Sequence, residues 1–213
     1  MNKDRSSDIN IELGMAYLQE KNFPLAKIKF LKAIHLAPQH PASLYSMAYY
    51  YQKTHNIKLA SQYYKQALSI APGNAAVLGS YGTFLCQRKK YKEGIKYLIK
   101  ASAINTLTYQ AITYEKTGIC ALKAHLADTA YKYLHKALQN NPKNTNIYLN
   151  IAQAAFLTQR YKLASQYLKY WHINKKRTPK STRLELNIEE KLHHYSRVAG
   201  LKLFIASLTS KNT

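Results

Sequence analysis

The chain has 213 residues, 46% of them hydrophobic, with 32 Lys and Arg against 10 Asp and Glu, a formal charge of +22. No run of about 18 apolar residues occurs, which excludes a bilayer-spanning helix, and seven Gly with six Pro are too few for a turn-dense β protein. Such basicity points first to nucleic acid or an anionic surface, yet only Arg5, Arg88, Arg160, Arg177, Arg183 and Arg197 are arginines, leaving 26 lysines. Arg is the residue suited to planar, bidentate recognition of phosphates and bases, so nonspecific attraction is expected rather than a nucleic-acid function.

In chain order, residues 1–7 are polar and expected to be disordered. Asp8, Asn10 and Glu12 interrupt any apolar signal core, so these residues carry no export signal. Either the protein stays in the cytoplasm or a targeting segment has been removed, and its location is open at this point.

From there the chain repeats with a period of 34 residues. The first copy reads Leu13-Gly14-x-x-Tyr17, then Ala26, Phe30, Ala33 and Pro38. In the second, Met47-Ala48-x-x-Tyr51, Ala60, Tyr64, Ala67 and Pro72 match every position in type. The third reads Tyr81-Gly82-x-x-Leu85, Gly94, Leu98 and Ala101, but has Thr106 at the Pro position. A two-residue slip at Tyr109-Gln110 precedes the fourth copy, Thr117-Gly118-x-x-Ala121, Ala130, Leu134, Ala137 and Pro142. A fifth follows as Ile151-Ala152-x-x-Ala155, Ala164 and Leu168. Beyond about Lys180, Leu186, Ala199, Leu203 and Ala206 fall at corresponding spacings and read as a terminal capping copy.

This register is that of the tetratricopeptide repeat. Small residues at its eighth and twentieth positions let two helices approach closely, larger apolar residues at the seventh, eleventh and twenty-fourth fill the space between pairs, and Pro ends the second helix. The expected fold is all-α, a right-handed superhelical stack of about six tetratricopeptide helix pairs forming one domain over residues 8–213. The copies lie near 7–40, 41–74, 75–108, 111–144 and 145–178, with a degenerate one at 180–213. A helix pair cannot bury its apolar face alone, and stacking makes a concave surface lined by the first helices.

Catalytic and metal chemistry find no support. His35 and His40 are five apart, His125 and His135 ten apart, and His193-His194 are adjacent, so no metal-ligand spacing exists. No phosphate-cradling glycine pattern occurs, since Gly14, Gly82 and Gly118 are explained by helix packing. No cofactor, metal, small-molecule substrate or enzyme activity is expected. The basic clusters Arg88-Lys89-Lys90-Tyr91-Lys92 and Lys175-Lys176-Arg177-Thr178-Pro179-Lys180 read as solvated turns, or as contacts to anionic lipid or an acidic partner.

Function is expected in the groove, at the second, fifth, ninth and twelfth positions of each first helix. In the first two copies these are Asp8, Ile11, Met15, Leu18, Ala42, Tyr45, Tyr49 and Gln52, and Thr83 follows at the ninth position of the third. Tetratricopeptide domains that capture C-terminal carboxylates place Lys and Asn where Ile11 and Met15 stand, so an apolar helix or strand is the better-fitting partner.

One stretch is more idiosyncratic than packing requires. Tyr81-Gly82-Thr83-Phe84-Leu85-Cys86-Gln87 followed by Tyr91 resembles the N-Y-G-x-F-L-C and Y-x-E-A elements of the type IV pilus biogenesis/stability proteins of the PilF/PilW family, with Ser80 for the Asn and Gly94 for the Ala. Glu12-Leu13-Gly14-Met15-Ala16-Tyr17-Leu18 is similar to that family's start, and Glu115-Lys116-Thr117-Gly118-Ile119-Cys120-Ala121-Leu122 to an E-N-A-G-L-C-A-L element. The resemblance covers residues 8–206. It implies a pilotin, an outer-membrane lipoprotein facing the periplasm whose partner is a secretin subunit of the pilus machinery. The family's signal peptide and lipidated Cys have no counterpart here, so membrane association would require a lipidated N-terminus preceding these residues. The high positive charge is not a family trait. A generic cytoplasmic adaptor and a basic RNA-binding repeat protein, the latter with salt-steep affinity, are the alternatives.

Cys86 and Cys120 gain meaning from the same resemblance. Alone they read as small buried hydrophobes. On neighbouring first helices of a periplasmic protein, they become a candidate disulfide closing 33 intervening residues.

Overall fold

The computed structural model describes residues 3–103 and 107–209. Among these the chain forms twelve α-helices and no strand. Two compact units divide them, Met1–Asn105 and Thr106–Thr213. The first holds α1 (Lys3–Gln19), α2 (Phe23–Leu36), α3 (Pro41–Lys53), α4 (Ile57–Ile70), α5 (Ala75–Gln87) and α6 (Tyr91–Ser102). The second holds α7 (Leu107–Lys123), α8 (Ala127–Asn140), α9 (Ile147–Leu157), α10 (Tyr161–Asn174), α11 (Pro179–Lys191) and α12 (Tyr195–Thr209). Each copy of the repeat is one antiparallel helix pair.

Within the stack expected over 8–213, the described helices group into these two units. Their boundary falls where the third copy has Thr106 in place of Pro, ahead of the slip at Tyr109-Gln110, which α7 absorbs as a helix of 17 residues against 13 for α3 and α5. Of residues 1–7, expected to be disordered, 3–7 are helical as the start of α1, and Met1 and Asn2 lie outside the described residues. Polar Ser7 is fully buried: its hydroxyl donates to the Ala33 carbonyl at 3.1 Å and shares a 2.8 Å hydrogen bond with the Ser43 hydroxyl. These serines satisfy one another where α1, α2 and α3 meet, so their polarity does not carry them into solvent.

Every first helix ends alike. Lys21, His55, Lys89, His125, Gln159 and His193 all adopt φ between 58° and 61°. The residue after each donates its backbone N–H to the carbonyl five residues back, from Asn22 to Tyr17, Asn56 to Tyr51, Lys90 to Leu85, Leu126 to Ala121, Arg160 to Ala155 and His194 to Glu189, at 2.8–3.0 Å. This left-handed closure satisfies the last carbonyls of the helix and turns the chain sharply. It recurs every 34 residues except across the slip, and places six helix pairs in register. The second helices α2 and α4 are opened by Asn22 and Asn56, and the first helix α5 by Asn74, whose side-chain oxygens accept from the Leu25, Leu59 and Val77 N–H groups.

Packing follows the register. Phe30, Tyr64, Leu98, Leu134 and Leu168, all at the twenty-fourth position, are essentially fully buried, as are the small Ala26, Ala60, Ala130 and Ala164. The sixth pair departs from expectation. Ala199, Leu203 and Ala206 are exposed, Leu203 at 74%, and α12 instead turns Val198, Leu201 and Ile205 inward. On α11, Glu185 and Glu189 stand at the seventh and eleventh positions, which carry no charge in the other copies, and Arg197 of α12 lies beside both.

Candidate functional site

In the first unit Met15, Leu18 and Gln19 of α1, Phe23 of α2, and Tyr49 and Lys53 of α3 line a cleft of about 320 Å³, with Lys21 at its edge. Met15 and Tyr49 stand on adjacent first helices because they are one period apart. Lys53 Nζ lies 5.3 Å from the Tyr49 ring centroid, a cation–π contact that keeps the ring in place and the ammonium at the rim. The walls are apolar and the rim is basic.

The other predicted residues divide. Leu18 gives the cleft only an edge, being 8% exposed and packed with Ala26, Phe30, Met47 and Tyr50. Tyr45 is half-buried beneath two core clusters. Burial raises its phenol pKa above 10.0, and the nearby Asp8 carboxylate raises it further, so the hydroxyl stays protonated. Asp8 in turn lies 3.7 Å from His40. Gln52 is tied on both sides: its Oε1 accepts from the Tyr64 hydroxyl at 2.9 Å and its Nε2 donates to Gln87 at 2.8 Å. Thr83 donates its hydroxyl to the Gly79 carbonyl at 2.7 Å. Ile11 and Ala42 are half-buried, and neither they nor Gln52 and Thr83 line the cleft. Met15, Leu18 and Tyr49 are thus brought together, while Gln52 ties α3 to α4 and α5 and Thr83 bonds back within α5.

The second unit has a larger groove that sequence reasoning missed. It measures about 650 Å³ and runs between α9, which supplies Gln153, Phe156 and Leu157, and α11, which supplies Pro179, Lys180, Thr182, Arg183, Leu184 and Asn187, with Ile205 of α12 at its floor. The signal was available. Carrying the ninth and twelfth positions forward by the period, through the slip, leads from Met15 and Leu18 to Gln153 and Phe156 in the fifth copy and Asn187 in the sixth.

The opposite side of α11 carries an ion network. Arg177 grips Glu185 with both terminal nitrogens, at 2.9 and 3.2 Å, and His172 Nε2 lies 3.3 Å from the same carboxylate. Glu189, 1% exposed, meets His194 at 2.6 Å and Arg197 at 3.3 Å. Burial lowers the His172 pKa, outweighing the opposing pull of Glu185. Two buried carboxylates with cations from the α10–α11 turn and α12 fasten the last pair, since each charge would be costly to bury alone.

Of the basic clusters, Arg88, Lys89 and Lys90 are an exposed turn, whereas Arg177 belongs to the ion network. Cys86 and Cys120 are both buried, each within its own unit.

Residues 41–74 and 121–170 match family profiles described as the tetratricopeptide repeat. The type IV pilus assembly protein PilF of Pseudomonas aeruginosa is 30% identical over 165 residues, covering 78% of this chain and 66% of PilF, so the chain spans just under two thirds of that relative's length. An uncharacterized protein of Haemophilus influenzae is 31% identical over 147 residues, covering 67% of the chain and 80% of that protein. The solved structure of P. aeruginosa PilF superposes with a TM-score of 0.86 at 26% identity, covering 98% of this chain and 94% of that one. PilW, described as a widely conserved type IV pilus biogenesis factor, superposes at 0.82 with 24% identity over 94% and 92% of the two chains, and so shares the fold. With the 34-residue register, the helix pairs and these relatives together, the chain belongs to the PilF/PilW family of tetratricopeptide-repeat proteins related to type IV pilus biogenesis.

Proposed function

We propose that this chain is a non-enzymatic scaffold that assists the targeting or assembly of an outer-membrane secretin in type IV pilus biogenesis, working at the periplasmic face of that membrane. The similarity to PilF over 78% of the chain carries this reading. A partner segment with apolar side chains would seat in the first unit's cleft, where Met15, Leu18 and Tyr49 form the contact surface. Ile11, Tyr45, Gln52 and Thr83 act as positioning residues beside it. A Cys86–Cys120 disulfide belongs to the same reading, and two free thiols titrated in protein recovered from the periplasm would remove it.

The test is capture of the secretin by tagged, exported protein, with pilus number as the second readout. The unaltered chain should recover secretin, and Met15→Glu and Tyr49→Ala should each lower recovery about tenfold or more, as loss of a central contact does. Folded variants that recover as much secretin as the parent would remove the cleft from the mechanism. A parent chain that recovers none would remove the partner.

A further inference from the structure

We infer that the second unit carries a separate docking site, in the groove between α9 and α11, for an apolar peptide segment flanked by carboxylates. This rests on the reading of the chain as a protein-binding scaffold. Its volume, about 650 Å³, falls in the range of sites that enclose a ligand rather than a surface dimple. Phe156, Leu157, Leu184 and Ile205 supply an apolar floor, and Leu157 keeps 46% of its surface exposed there. Exposed apolar surface of this kind is covered in a working complex.

The charge on α11 identifies the chemistry of the occupant. The helix carries three acids, and all three are engaged away from the groove: Glu185 by Arg177, Glu189 by His194 and Arg197, and Glu190 by Lys202 at 3.1 Å. The groove face carries Lys180 and Arg183, one helical turn apart, and among the described residues neither forms an ion pair with a carboxylate. No acidic residue lines the groove. Asn187 of α11 and Gln153 of α9 add an amide donor on each wall. The result is an apolar floor under an uncompensated cationic edge. An acid-flanked apolar segment fills both, with its side chains on the floor and its carboxylates on Lys180 and Arg183, where charge-assisted hydrogen bonds form. A basic segment is repelled by the same edge.

The experiment is fluorescence anisotropy of the full chain with a fluorescein-labelled peptide in which Leu and Phe alternate with Asp. Saturable binding that weakens as salt rises is expected. A peptide with Lys in place of Asp should bind about tenfold more weakly or not at all. Arg183→Glu and Leu157→Asp, both at exposed positions that leave the core intact, should each cost about tenfold, Arg183→Gln less, and Met15→Glu nothing. Comparing a free with an amidated C-terminus on a Leu-Phe peptide without Asp separates a terminal carboxylate from side-chain carboxylates. Equal binding of the Lys peptide, unchanged binding by folded Arg183→Glu, or loss with Met15→Glu equal to that with Arg183→Glu would overturn the inference. So would a concentration-dependent dimer abolished by Leu157→Asp in a chain that binds no peptide, which would assign the groove to a second copy. Secretin capture that persists without peptide binding sinks this site and leaves the proposed function standing; peptide binding without secretin capture does the reverse.

Discussion

Replacing Gly82 by Ala sets two effects of similar size against each other. In an exposed helix the change stabilises by about 1 kcal/mol, because Gly loses more backbone freedom on folding. At Gly82, however, an added Cβ would stand 2.9 Å from the Gly94 carbonyl oxygen, 2.9 Å from Leu98 Cγ and 3.0 Å from the Leu98 nitrogen. Two of those atoms are α6 backbone and cannot rotate aside, so α5 and α6 must part by a few tenths of an ångström. Leu98 is fully buried between them, and overpacking of such a contact costs about 1–3 kcal/mol. The second pair holds buried Ala48 and Ala60 at the equivalent positions, so Ala itself suits the fold, and the cost at Gly82 is that of reopening a pair closed to glycine spacing. After the helix gain of about 1 kcal/mol is deducted, Gly82→Ala should destabilise by about 1 kcal/mol, within a span of about 0–2, lowering Tm by roughly 2–4 °C per kcal/mol in a chain of this size. Gly200→Ala in α12 is the control: nothing lies within 4 Å of its Cβ, and a gain of about 0.5–1 kcal/mol is expected. Urea and thermal unfolding followed by circular dichroism read both. Gly82→Ala more stable than the parent, as Gly200→Ala should be, or Gly200→Ala less stable, would refute the reasoning.

Three further outcomes follow from the same geometry. Gln159→Gly removes a side chain held at φ 61° and should stabilise the second unit by up to about 1 kcal/mol, read as a higher urea midpoint at unchanged slope; a lower midpoint would show the left-handed turn to be unstrained. Glu189→Ala removes the shared carboxylate of His194 and Arg197, and because both cations are more than half exposed and Arg197 keeps Glu185, it should cost about 1 kcal/mol in that unit. Limited trypsin digestion should then cut α12 rapidly at Arg197 and Lys202, and an unchanged digestion pattern would contradict the network's role. Burial lowers the His172 pKa below the usual 6.5, with Glu185 opposing and Arg177 assisting. The fold therefore favours neutral imidazole, and that stability is present above 6.5 and lost as pH falls through the depressed folded value. The acid-side decline of the second unit's midpoint should be shallower in His172→Gln, and identical slopes would rule His172 out.

A great deal of this protein is written in local chemistry. Gly14, Ala26, Phe30 and Ala33, repeated one period on as Ala48, Ala60, Tyr64 and Ala67, announce helix pairs and their contact residues, because helix packing demands small and large side chains at set intervals. Groove positions such as Met15 and Tyr49 follow from the same arithmetic. The Tyr81 to Cys86 segment pointed to the family that the similarity to PilF then supported. What the residues did not announce was which polar groups would find one another. Gln52 and Thr83 look like free groove side chains, yet the structure consumes them in hydrogen bonds to Tyr64, Gln87 and Gly79. Ser7 looks solvated and is buried against Ala33 and Ser43. Glu185 and Glu189 break the apolar pattern of the sixth copy, and only their ion pairs with residues of the α10–α11 turn and α12 decide which face of α12 turns inward. Periodicity is a property of the chain and can be read along it, so the repeat, its pairs and its packing positions were determined by sequence alone. Pairing of buried polar groups depends on which distant atoms arrive within hydrogen-bond reach, so the uncompensated cationic edge of the second unit's groove and the seating of α12 were decided by tertiary structure.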